Sequence, residues 1–247
     1  MVELTQVRDL SSFLKRIHEE YVEARKPIYR ENGRIQRGRN RAISGRAEDL
    51  LAELLYHELD AKNSETLSFF VDQPITVIFP DDKKKTVYPD VMVCQKVDDR
   101  NYVILYMLDL KMDVGYHREY RAEHGDSYLD KAKGLKSFLK EMSESKELFG
   151  KSGTEKKSKT DKNAPKFHFS MADGVGYDMV IITAANSGAE WKRNNLIDNA
   201  KDTKTNIWLM STGQHPNEYE IWEEDKVQPC QSSWSELIRK ISNQFTT

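Results

Sequence analysis

Cysteine is scarce in this chain: 247 residues contain two, Cys94 and Cys230, far apart and without Cys-x-x-Cys spacing. That argues against a disulfide scaffold and against a cysteine zinc site. Long hydrophobic runs are missing too, since none approaches the roughly 20 residues a membrane-spanning helix requires. The first fifteen residues hold no apolar segment of the secretory kind, so the expected setting is a reducing cytoplasm with no membrane partner. An excess of one charge is also lacking, because 38 Lys and Arg meet 40 Asp and Glu, for a net charge of -2. The chain as a whole is no polycation, and any binding of nucleic acid would need local positive charge. There is no Gly-x-x-x-x-Gly-Lys loop, no Gly-x-Ser-x-Gly elbow, no dinucleotide fingerprint and no internal repeat, which leaves several common chemistries without support.

What the sequence does have is one concentrated stretch. Tyr88-Pro89-Asp90 leads into Val91-Met92-Val93-Cys94, a polar turn follows, and Tyr102 to Leu108 is an unbroken apolar run that ends in Asp109-Leu110-Lys111. Seven apolar residues rich in Val, Ile and Tyr predict a strand buried on both faces. Asp109 and Lys111 stand two apart and therefore project from the same face of that strand. Pro89 interrupts the ladder just before Asp90. With the turn at 97–101 closing a hairpin, a bend at Pro89 brings Asp90 beside Asp109. Two carboxylates and a lysine at a strand end suit a hard divalent cation such as Mg2+, which takes one or two carboxylates together with phosphate and water. The plain alternative is a buried Asp109–Lys111 ion pair in an ordinary sheet.

The remaining chain supplies context. Leu10, Phe13, Leu14, Ile17 and Tyr21 recur at helical spacing over 8–25. From 25 to 46 arginine and glycine dominate: Arg34, Arg37, Arg39, Arg41 and Arg46 belong to this stretch, as do Gly33, Gly38 and Gly45. Arginine matches phosphate oxygens with its planar fork, so the stretch reads as an arm along a nucleic-acid backbone; a solvated loop, or one paired to a partner subunit, is the bland reading. Ala47, Leu50, Leu51, Leu54 and Leu55 mark a helix over 45–59. Residues 68–79 read as strand with a bend at Pro74, and 81–85 as a charged turn. A helix over 127–142 carries Lys133, Lys136 and Lys140 as a row, either a phosphate-facing ridge or a solvated face. His117 and His124 lack the further ligands of a zinc site. Residues 143–166 are polar and of low complexity, and are expected to form a mobile loop. Residues 179–184 and 206–210 read as buried strands joined through a helix over 189–200, which predicts parallel pairing. Tyr219 to Trp222 is expected as a short strand, and Trp234 to Phe245 as a closing helix.

Pro89-Asp90, followed nineteen positions later by Asp109-Leu110-Lys111, resembles the signature of the PD-(D/E)xK nuclease superfamily, which includes many type II restriction endonucleases. The resemblance covers roughly residues 44 to 111. It implies an α/β fold: a restriction-endonuclease-like core, a central mixed sheet flanked by helices, spanning 44–247, with residues 1–43 as an N-terminal helix and basic arm. It also implies a Mg2+ site, with Mn2+ able to substitute, held by Asp90 and Asp109, with the Leu110 carbonyl as a further ligand. Glu48, on the helix before the sheet, is the acid that would complete the site, with Glu53 the poorer choice. Lys111 would position and activate the attacking hydroxide, leaving a 5′-phosphate. The corresponding activity is Mg2+-dependent cleavage of double-stranded DNA by a homodimeric restriction-type enzyme, with Arg34, Arg37, Arg39, Arg41, Arg46, Lys133 and Lys136 as backbone contacts. Rival expectations are a Holliday-junction resolvase, an RNA-cutting relative, a non-catalytic nucleic-acid-binding module, or an accidental match in some other kind of protein. One ion or two is left open.

Overall fold

The structure, a computed structural model, describes residues 5–25, 42–59, 64–113, 127–151, 166–184, 206–216 and 221–245. The Arg-rich positions 34, 37, 39 and 41, both histidines at 117 and 124, and the expected helix at 189–200 lie outside them.

Helix α1 spans Leu10–Arg25. Its start is fixed by a reciprocal cap: the Asp9 carboxylate accepts from the Ser12 amide at 2.8 Å, and the Ser12 hydroxyl accepts from the Asp9 amide at 2.9 Å. Helix α2 spans Ser44–Glu58 and buries Ala47, Leu50, Leu51, Leu54 and Leu55, the stripe expected from the sequence. Five strands follow: β1 (Leu67–Val71), β2 (Ile75–Ile78), β3 (Lys84–Val87), β4 (Val91–Lys96) and β5 (Asn101–Asp113). Then come α3 (Ser127–Ser143), β6 (Glu147–Lys151), β7 (Lys166–Thr183), β8 (Ile207–Leu209) and α4 (Gln231–Ser242).

Among the described residues the strands form a single mixed sheet in the order β1-β4-β5-β7-β6-β2-β3, with β8 also on β7. The β4–β5 hairpin is antiparallel and β5 runs parallel to β7, as β7 does to β8. Strand β7 has 18 residues. One of its edges carries β5; the other carries β6 near its start and β8 near its end. Between the rungs Ile104↔Met171 and Tyr106↔Gly176, β7 advances five residues while β5 advances two, so β7 bulges there. Gly174 sits in the bulge at φ +76, a conformation that favours glycine.

Alternation along β5 and β7 sorts the core into layers. Tyr106, Leu108, Leu110, Val180 and Ile182 pack with α1, α2 and α4, while Met107, Tyr177, Met179 and Ile181 pack on the face covered by α3. The result is an α/β architecture with a mixed central sheet flanked by helices. No helix among the described residues is long and apolar enough to cross a membrane.

Four local expectations need correction. The loop expected over 143–166 begins with a strand: β6 pairs with both β2 and β7, and Leu148 is buried. Strand β7 starts at Lys166, thirteen residues before the expected start at 179, because its polar first half lies beside β5 and β6. Lys84 and Lys85 belong to β3 and not to a turn; they pair with β2, and their charge guards that sheet edge. Ile221 and Trp222 are in no strand, and the rest of the expected strand at 219–220 lies outside the described residues.

Candidate metal and acid–base site

Asp90 is placed by the end of a ladder. The last rung of β4 on β5 is Val91↔Leu108. One residue earlier, the Asp90 amide still donates to the Leu108 carbonyl at 3.0 Å, and the Asp90 carbonyl accepts from the Asp72 amide at 3.0 Å. Pro89 stops the pairing there, having no N–H to offer. The Leu110 amide, past the last rung, donates instead to the Asp90 carboxylate, with Leu110 N to Asp90 Oδ2 at 2.5 Å. A side chain thus continues the ladder where the backbone leaves it, and this turns Asp90 toward Asp109.

Lys111 joins the two acids. Its Nζ is 2.8 Å from Asp109 Oδ2 and 3.7 Å from Asp90 Oδ2, and it donates to the Leu110 carbonyl at 2.8 Å. Asp109 is buried, whereas the Asp90 and Lys111 side chains each keep about a fifth of their surface exposed. One ammonium therefore lies among the three oxygens that the sequence reading assigned to a cation.

Glu48, in the second turn of α2, belongs to the same electrostatic neighbourhood. Partial burial, then the Asp90 and Asp72 carboxylates, push its carboxyl up to about 7, with Lys111 opposing. Asp72 was not foreseen as part of the site. It is exposed, follows β1 directly, and adopts φ 47, a left-handed conformation that Asp tolerates better than most residues. Tyr177, on β7, is buried. Burial first, then Asp109 and Asp90, hold its hydroxyl far above the usual phenol range, so it stays a proton donor at the inner wall of the site. No signal in the sequence marks either residue as belonging with the Asp-x-Lys; both come from folding.

The donor set fits a hard cation: two carboxylates and a carbonyl surround a positive charge that the chain itself supplies. Among the described residues no group of three or more His, Cys, Asp or Glu side chains is close enough to hold a metal ion. Mg2+ does not require three, since it binds through one or two carboxylates and completes its shell with phosphate and water.

The other expected contacts are dispersed. Arg46 pairs with Glu20 at 3.3 Å and with Asp49 at 3.7 Å. Lys133 and Lys136 are exposed on α3; Lys136, Lys140 and Lys146 line a cleft of about 700 Å³ floored by Leu148, Phe169 and Val175. Glu53 is exposed on α2.

Two polar clusters escaped the sequence reading. On the opposite face of the sheet, Asp178 is fully buried; its Oδ2 accepts from the Tyr106 hydroxyl, from Trp208 Nε1 at 2.6 Å and from Lys240 Nζ at 2.8 Å. At the end of β5, His215 Nε2 lies 3.0 Å from Asp113 Oδ2, both buried, with the Tyr21 ring edge-on to the imidazole. The chain matches no protein-family model, no curated protein and no solved structure.

Proposed function

We propose that this chain is a Mg2+-dependent endonuclease acting on double-stranded DNA, of the restriction-enzyme type and working as a homodimer. The reading is carried by one observation: Asp90, Asp109 and the Leu110 carbonyl converge on the Lys111 ammonium at the open end of β5, beside Glu48 of α2. Asp90, Asp109 and Leu110 would hold the ion, with Glu48 within electrostatic reach of Asp90 and Lys111. When bound, the ion would supply Lewis-acid neutralisation of the phosphate and a lower pKa for its water. Lys111 would place its positive charge where the phosphate gains negative charge during attack. Glu48, whose carboxyl titrates at about 7, can take up a proton at working pH. Asp109 is held against Lys111 by burial, which limits the reorganisation needed at the moment of reaction. The basic stretch around Arg37, Arg39 and Arg41 would supply phosphate contacts, and binding would then weaken steeply with salt.

The test is incubation of the full chain with plasmid DNA, with and without Mg2+. Discrete fragments that require Mg2+ and are lost in Asp90→Ala and Lys111→Ala are expected. Cleavage retained in either folded variant eliminates this site, and DNA binding without any cleavage would favour a non-catalytic module.

A further inference from the structure

We infer that Lys111 and a divalent cation compete for one oxygen cradle, so that the ammonium is the resident cation of this site whenever no metal is bound. The identity of the ion rests on the nuclease reading above; the competition rests on geometry. Lys111 Nζ is 2.8 Å from Asp109 Oδ2, 2.8 Å from the Leu110 carbonyl oxygen and 3.7 Å from Asp90 Oδ2. Those three oxygens are the ones a Mg2+ would draw in to about 2.1 Å. The ammonium already stands against these oxygens, so a metal drawn to them would have to displace it.

The surroundings let the ammonium leave. Lysine carries its charge on a flexible four-carbon stem, and about a fifth of the Lys111 side chain is exposed, so the mouth of the site opens to solvent. Glu48 lies within electrostatic reach of Lys111, which gives the displaced ammonium another acid to face. Asp90 does not depend on Lys111 for its orientation, because the Leu110 amide holds the same carboxylate oxygen at 2.5 Å. Entry of a metal thus needs a lysine side chain to swing aside and leaves the carboxylates where they are. The consequence runs against the usual expectation for a residue at such a site: removing Lys111 should abolish chemistry yet strengthen metal binding.

Calorimetric titration of MnCl2 into the full chain without DNA tests this. Lys111→Met and Lys111→Gln are each expected to bind Mn2+ about tenfold more tightly than the wild type, the size expected for losing two part-exposed ion pairs. Adding Asp109→Asn to Lys111→Met should remove that gain. Circular dichroism establishes that each variant is folded, and the two replacements cover the case in which one of them is not. Affinity equal to or weaker than wild type in the folded Lys111 variants, with wild-type binding lost in Asp109→Asn, overturns the competition and leaves the metal site standing. Binding that survives Asp109→Asn places the ion elsewhere and overturns the inference. Absence of Mn2+ binding in every protein overturns both the inference and the metal-dependent function.

Discussion

Lys240→Met should destabilise the fold more than Asp178→Asn, although it removes the more exposed partner of the pair. Asp178 is fully buried and Lys240 retains 36% of its side-chain surface. Truncating the lysine strands a carboxylate in the core with, among the described residues, Tyr106 and Trp208 to donate to it. Breaking a buried pair from one side costs about 3–5 kcal/mol; because water reaches Lys240, about 2–3 kcal/mol is the better figure here. Asp178→Asn removes the charge and keeps a carbonyl for both donors, and the freed ammonium turns to solvent, so its cost should be about 1 kcal/mol. The double variant should then resemble Asp178→Asn alone. For a chain of this size 1 kcal/mol moves Tm by roughly 2–4 °C. Thermal unfolding at pH 7 should therefore place Lys240→Met about 5–10 °C below wild type and the double variant only about 2–4 °C below it. If Lys240→Met melts with the wild type, or the double variant melts as low as Lys240→Met, the assignment of Asp178 as a charge that needs compensation is wrong.

Two further outcomes follow from the same physics. Gly176→Ala would drive a methyl group into the Tyr106 ring, displacing the hydroxyl from Asp178; a loss of about 2–4 kcal/mol is expected in chemical denaturation, and a change below about 1 kcal/mol would mean that the ring shifts without consequence. Glu48 has its folded carboxyl raised from 4.5 to about 7, so the native state binds more protons than the unfolded chain between those values and stability falls as pH rises through that window. The full shift would correspond to about 3 kcal/mol, and solvent screening at this half-exposed position reduces it to about 1 kcal/mol. Glu48→Gln should accordingly match the wild type below pH 4.5 and gain on it by about 1 kcal/mol at pH 8; parallel stability profiles from pH 5 to 8 would contradict this.

The sequence made the α2 stripe, the β4–β5 hairpin and the parallel β7–β8 pair legible for a common reason: each buries side chains at the period of its own element. The same logic hid the first half of β7. Lys166, His168 and Ser170 alternate with Phe167 and Phe169, but a polar bulge with Asp173 and Gly174 breaks the pattern before the apolar run begins. Strand β6 was hidden by its length and its lysine-rich neighbours. At the site, Asp90, Asp109 and Lys111 were readable because proline and strand parity act locally. Asp72 and Tyr177 were not, since their part in it depends on β1 and β7 lying beside β4 and β5. The pairing of Asp113 with His215 spans 102 positions and has no local trace.

Strand β7 works as a beam. Its stretch from His168 to Thr183 runs beside Asn101–Asp113 of β5, twelve steps of about 3.3 Å, and so covers roughly 40 Å. The β2–β3–β6 wing is fastened to its near end and β8 to its far end, with β5 alongside both. A protein divided by a hinge can close on its substrate by swinging two halves together; here one strand, bulged at Gly174, passes through both. The wing and the acidic end of β5 are thereby tied together through one strand of one sheet.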